Sequence, residues 1–138
     1  MFRNVFAVVA GVFAMMIVIT GLEALDMRLY PPPPELNLRD PAQLRQAVDI
    51  MPLMAKQLVV LGWLLGAFVG GFVAARIAHR RRLFAASIVG GLVCAGTIAN
   101  AMQIPHPIWM TFIGSVLPLP LAWAAGRWAI ALAPVADA

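Results

Sequence analysis

Cysteine, histidine and charge are all scarce in this sequence, and each shortage excludes something. A lone cysteine, Cys94, leaves no internal disulfide. With only His79 and His106 beside it, no Cys/His zinc set can be assembled. Charged residues make up 12% of the chain, against roughly 25% in an average soluble domain. Carboxylates are fewest: six in all, five of them between Glu23 and Asp49. There is no Gly-rich phosphate loop, Ser/His/Asp set, metal-protease motif or pair of central carboxylates. The expectation is therefore a protein that is not an enzyme and carries no cofactor. What is abundant is apolar: 62% of 138 residues, with a mean hydropathy of +0.88. That length allows one domain, and the composition is that of an integral membrane protein.

A hydrocarbon core about 30 Å thick needs roughly 20 apolar residues at 1.5 Å each. Four stretches qualify, and they divide the chain into spans at about 4–25, 53–78, 83–102 and 108–130. An outer loop (26–52), a cytoplasmic turn (79–82) and an outer turn (103–107) connect them. The last two spans come from one run, Leu83 to Gly126, free of Asp, Glu, Lys and Arg. Gln103-Ile104-Pro105-His106-Pro107 punctuates that run, because two prolines flanking one residue disfavour helix. The first span exceeds the apolar core of a signal peptide and lacks a small-x-small site after it, so it is expected to stay as an uncleaved helix.

Orientation follows from the arginines. One side holds Arg3, Arg76, Arg80, Arg81, Arg82 and Arg127 against Asp137 alone. The other holds Arg28, Arg39, Arg45 and Lys56 against Glu23, Asp26, Glu35, Asp40 and Asp49. Both termini are expected in the cytoplasm. The basic cluster lacks the interleaved aromatics of a nucleic-acid surface, so no nucleic-acid partner is expected.

The outer loop has sequence of its own. Pro31-Pro32-Pro33-Pro34 predicts a polyproline rod about 12 Å long. Asp40-Pro41-Ala42-Gln43 reads as a helix start: Asp40 at the N-cap, Pro41 at the first helical position, and Gln43 placed to close a capping box. Leu44, Ala47, Val48 and Met51 then recur on one face opposite Arg45, Gln46 and Asp49, predicting a short amphipathic helix.

Small residues recur every four positions on the second span, at Gly62, Gly66, Gly70, Ala74 and Ala78, and on the third, at Ser87, Gly91, Ala95 and Ala99. A tight hairpin would set residues whose numbers add to 161 at equal depth. The expected seam is a glycine zipper of Ala74/Ser87, Gly70/Gly91, Gly66/Ala95 and Gly62/Ala99. The fourth span carries Gly114, Pro118, Ala122 and Gly126, with a bend or local unwinding expected at Leu117-Pro118-Leu119-Pro120.

Polar candidates are few. Glu23 falls near the outer edge of the first span, where water, Lys56 or Arg28 meets it. Asn100, following Cys94 and Thr97 on one strip, suits an interhelical hydrogen bond. His106, held between prolines and followed by Trp109, is expected at the outer interface. There its imidazole either pins the first loop by a hydrogen bond or serves as a ligand or proton-sensitive contact. Met27, Met51, Met54, Met102 and Met110 gather with His106 at outer span ends, and thioether with imidazole suits monovalent copper. A copper(I) site at Met51, Met54 and His106 is a remote alternative to plain packing by methionine.

Leu29-Tyr30-Pro31-Pro32-Pro33, Asp40-Pro41, Gly70-Gly71 with Ala74-Ala75, and Ile104-Pro105-His106-Pro107-Ile108-Trp109 together resemble a group of small bacterial four-helix inner-membrane proteins. The resemblance implies a bacterial inner membrane and that fold, and it brings no activity with it. Small multidrug carriers have similar size and helix number, but their central first-helix glutamate has no counterpart here. The fold expected is an all-α integral membrane protein: an antiparallel four-transmembrane-helix bundle whose Pro-rich outer loop carries an amphipathic helix. The function expected is a non-catalytic accessory or scaffold subunit in the lipid bilayer, partnered by another membrane protein or a second copy. A small oligomeric transporter or channel using Pro118, Pro120 and Asn100 is the alternative.

Overall fold

A computed structural model describes residues 2–104 and 106–133. Among the described residues six helices follow one another: α1 (Phe2–Leu29), α2 (Pro41–Ile50), α3 (Leu53–Ile77), α4 (Arg82–Gln103), α5 (Ile108–Val116) and α6 (Pro118–Ala131). No strand occurs among the described residues. By length and composition, four helical segments can each cross a membrane: α1, α3, α4 and α5–α6 taken together.

The first helix runs beyond Leu25, where the sequence suggests a stop, because no glycine or proline interrupts 22–30 and Arg28 suits the negative end of the helix. What ends it is Pro31, which has no N–H and bars the helical conformation at Tyr30. The last bond of the run is Tyr30 N–H to the Asp26 carbonyl, 2.8 Å. Asp26 therefore belongs to α1 and not to the loop.

The polyproline rod is shorter than four residues. Leu36 N–H donates to the Pro33 carbonyl at 3.1 Å, closing a turn with Pro34 at its second position, where a fixed φ fits. The start of α2 is as expected at its cap: Asp40 Oδ1 accepts from Ala42 N–H at 3.0 Å, with Pro41 in the first turn. Gln43 does not complete the reciprocal box, since the Asp40 N–H is already given to the Asn37 carbonyl. Its amide instead donates to Asp40 Oδ2 at 3.1 Å and accepts Asn37 N–H at 2.7 Å, binding the turn before the helix to its first turn. Ala47 and Val48 are buried, Leu44 and Met51 half-buried, and Arg45, Gln46 and Asp49 exposed, so the amphipathic stripe has the expected face inward.

Between α3 and α4, Arg81 takes φ 53°, the one positive value outside glycine among the described residues. Between α5 and α6, Leu117 stays helical (φ −76°, ψ −29°) although Pro118 and Pro120 withhold two N–H groups. The ladder brackets this gap: Leu117 N–H reaches the Ile113 carbonyl and Leu121 N–H the Leu117 carbonyl.

Helix α3 is the hub. It packs on α1 along most of its length and also touches α4, α5 and α6, while α6 lies against both α3 and α4. The interior is made of small side chains; Ala7, Ala55, Ala67, Ala74, Ala75, Ala86, Ala122 and Ala125 have no accessible surface. Close backbone approach, with its dispersion and Cα–H contacts, holds such helices together without a large apolar core.

Candidate functional site

The glycine stripe of α3 is a real contact, but its partner is α1. A Cβ at Gly62 would meet Leu22, one at Gly66 would meet Ile19 and Met15, and one at Gly70 would lie 2.6 Å from the Gly11 carbonyl oxygen. The residue numbers run oppositely along α1 and α3, so these two helices are antiparallel. On α1 the facing stripe is Ala7, Gly11, Met15, Ile19 and Leu22, and Asp26 continues it at helical spacing.

The expected partners on α4 face elsewhere. Gly91 has nothing within 4 Å of an added Cβ, Ala95 and Ala99 are exposed, and Ser87 is half-buried. The pairing of Ser87, Gly91, Ala95 and Ala99 with α3 is thus corrected by one residue. The buried small positions are Ala85, Ala86 and Gly90, of which Ala86 and Gly90 lie one residue before Ser87 and Gly91. The depth rule survives that rotation: Gly71 and Gly90, whose numbers add to 161, would both press a Cβ on Ala122, and a Cβ at Gly126 meets both Ala75 and Ala86. Helix α6 decides the face, because its Ala122 and Gly126 enter the cleft between α3 and α4. The prolines serve the same contact; Pro118 is fully buried and its carbonyl oxygen is 2.8 Å from a Cβ at Gly90.

The polar candidates are dispersed. Glu23 is exposed on α1. Asn100 is half-buried, and its side chain makes no hydrogen bond among the described residues. Thr97 is the buried member of its strip, and its hydroxyl donates back to the Val93 carbonyl at 3.0 Å. Ser115 and Gln103 likewise donate to carbonyls four residues before them, which satisfies a polar group without a second helix. His106 does not bond the first loop among the described residues. Its ring meets Trp63 edge-on at 5.8 Å, and burial holds its pKa below the ordinary 6.5, opposed by a bond to the backbone of Ile104. Pro105 lies outside the described residues, as does Asp137. Met54 and Met102 are exposed and Met51 is half-buried, whereas Met110 belongs to the core. His106 rests on Trp63, nine residues or about 13 Å of helix beyond Met54. No three His, Cys, Asp or Glu side chains converge on a metal-sized space among the described residues.

Two features escaped the sequence. Asp26 is 5% exposed, and its Oδ1 is buried without a hydrogen-bond partner. No local pattern announced its inward face, because the stripe that it continues is recognisable only from the contact of α1 with α3. The second is the order among the arginines. Arg3 Nε donates to the Ile77 carbonyl at 3.2 Å, Arg82 Nε to Ala78 at 3.1 Å, and Arg76 Nη1 to Leu132 at 3.2 Å. These carbonyls end α3 and α6, where a helix is short of donors and its dipole is negative. Asn4 Oδ1 accepts from the His79 and Arg80 N–H groups, tying the start of α1 to the same turn. Compared with protein-family models, curated protein sequences and solved structures, the chain matches none.

Proposed function

We propose that this chain is a multi-pass membrane protein, an antiparallel bundle of four spans with both termini in the cytoplasm, that works as a non-catalytic subunit of a membrane complex. The membrane part rests on the four long apolar helices and on polar side chains that return to their own helix, as a solvent without hydrogen bonds requires. The orientation rests on the arginine-rich end, and the bacterial inner membrane on the resemblance of the Tyr-Pro-Pro-Pro and Ile-Pro-His-Pro segments.

The observation that carries the subunit reading is the outward face of α4. Ser87, Gly91, Ala95 and Ala99 form a small-residue stripe with open space over Gly91 and Gly96. In a bilayer such stripes let a second helix come close. Among the described residues, nothing lies against a Cβ at Gly91 or Gly96, and Ala95 and Ala99 are exposed. The partner is another membrane protein or a second copy of this chain.

The test uses that open space. Gly91→Leu starts from a position where an added Cβ meets nothing within 4 Å, and it places a bulky side chain where the partner helix would lie. Affinity purification from native membranes in mild detergent should return partner subunits with the unaltered chain and lose them with Gly91→Leu at equal expression. A partner set identical for the two chains, or none with either, contradicts the proposal.

A further inference from the structure

We infer that the groove between α1 and α4 at the arginine-rich end binds an anionic phospholipid, its acyl chain between the helices and its phosphate on Arg80 and Arg81. The inference rests on the membrane reading above and is independent of the subunit reading. Helix α1 lies along α3 and meets α4 only briefly, which leaves a groove of about 410 Å³ open at the side. Its walls are Val5, Val8 and Val9 of α1 and Phe84, Ala85 and Ile88 of α4. Val5 and Val9 also line a second apolar depression beside it, with Phe2 and Phe6. Only one end of the groove is polar, where Asn4, Arg80 and Arg81 stand.

Charge complementarity selects the occupant. Asn4 is engaged by the His79 and Arg80 backbones. Arg3, Arg76 and Arg82 are engaged by helix-end carbonyls, and Arg127 lies over the Trp123 ring at 5.3 Å. The side chains of Arg80 and Arg81 are exposed and have no hydrogen-bond or ion-pair partner among the described residues. Two unsatisfied guanidinium groups above an apolar trough match a molecule with an anionic oxygen cluster at one end and hydrocarbon at the other. The left-handed backbone at Arg81 holds that side chain at the groove mouth instead of within the first turn of α4. On the proposed orientation this is the cytoplasmic leaflet, where anionic lipids supply the negative surface.

The experiment places the full chain in nanodiscs of phosphatidylcholine with a minor fraction of phosphatidylglycerol and counts the lipids retained by native mass spectrometry. Phosphatidylglycerol should be enriched over its bulk fraction. Arg80→Gln with Arg81→Asn, the latter suited to a positive φ, should weaken retention about thirtyfold, and each alone about fivefold. Val9→Trp, at an exposed position on the trough, should weaken it with both arginines present. Arg127→Gln should change nothing. Equal retention by the double variant, or an equal loss with Arg127→Gln, overturns the inference. Displacement by inorganic phosphate with no effect of Val9→Trp also overturns it, showing a soluble anion site. Incorporation into phosphatidylcholine discs is scored first. A chain that enters them without enrichment sinks the lipid site alone, and one that does not enter sinks the membrane reading with it.

Discussion

Gly70→Ala is the sharpest perturbation of the α1–α3 contact. Its new methyl group would stand 2.6 Å from the Gly11 carbonyl oxygen and 2.8 Å from both Met15 Cβ and Val89 Cγ1. Ordinary contact starts at 3.4 Å, so α1 must withdraw by roughly 0.8 Å, and a gap of about 0.5–1 Å removes about a quarter to a half of local dispersion attraction. Overpacking of this kind costs about 1–3 kcal/mol, while alanine returns up to about 1 kcal/mol of helix propensity. The net loss expected is about 1–2 kcal/mol. Gly91→Ala meets nothing within 4 Å, so only the propensity gain applies, from zero to about 1 kcal/mol of stabilisation. Reversible unfolding in mixed dodecyl-maltoside and SDS micelles, followed by tryptophan fluorescence, measures both. Gly11→Ala should resemble Gly70→Ala, and the pair should be non-additive because they crowd the same contact. If Gly91→Ala destabilises as much as Gly70→Ala, α4 turns its other face inward and the packing described above is wrong.

Other outcomes follow from individual side chains. Gly114→Ala should destabilise by about 1–3 kcal/mol, since its methyl would meet Trp63 and Thr97 at 2.6 Å; unchanged unfolding would place Trp63 elsewhere. Asp40→Ala should loosen α2 by about 0.5–2 kcal/mol and speed protease cleavage between Arg39 and Arg45, whereas Asp40→Asn should not. Because burial lowers the pKa of His106 below 6.5, protonation opposes the folded state. Stability should be full above pH 6.5 and fall as pH drops through the folded value, and His106→Gln should flatten that slope. Asp26→Leu should raise thermal stability by about 1–3 kcal/mol, because it removes the buried Oδ1 acceptor that has no partner; a fall instead would show that the carboxylate is paired.

The sequence made the helices legible and left the inward faces of the long ones undetermined. The long apolar helices, the Asp40 cap and the α2 stripe follow from local rules: apolar length, proline position and side-chain spacing. The hairpin register also follows, because a short turn ties depth to residue number. Rotation about each axis does not. On α4 both Ala86/Gly90 and Ser87/Gly91/Ala95/Ala99 offer small residues. Both faces are apolar and made of small residues, so hydropathy cannot choose between them. The choice is made by α6, through Ala122 and Gly126, which are distant in sequence. The α1 side of the main contact was hidden for another reason: Met15, Ile19 and Leu22 do not look like a small-residue seam, yet they fill the hollow left by Gly62 and Gly66. For the candidate polar site, Glu23 and Asn100 were recognisable only as rare polar residues in apolar helices. His106 was placed at a turn by its prolines, while its neighbour Trp63 is a tertiary contact no local pattern announces.

Site-specific photocrosslinking in native membranes, with the probe placed in turn at Gly91, at Ala95 and at Phe13, shows whether the small-residue face of α4 holds a partner helix. Phe13 is 71% exposed and apolar, so it samples a face expected to meet lipid. A partner protein or a second copy should be captured from Gly91 and Ala95 and not from Phe13. Protein adducts from Phe13 with none from either α4 position would contradict the account.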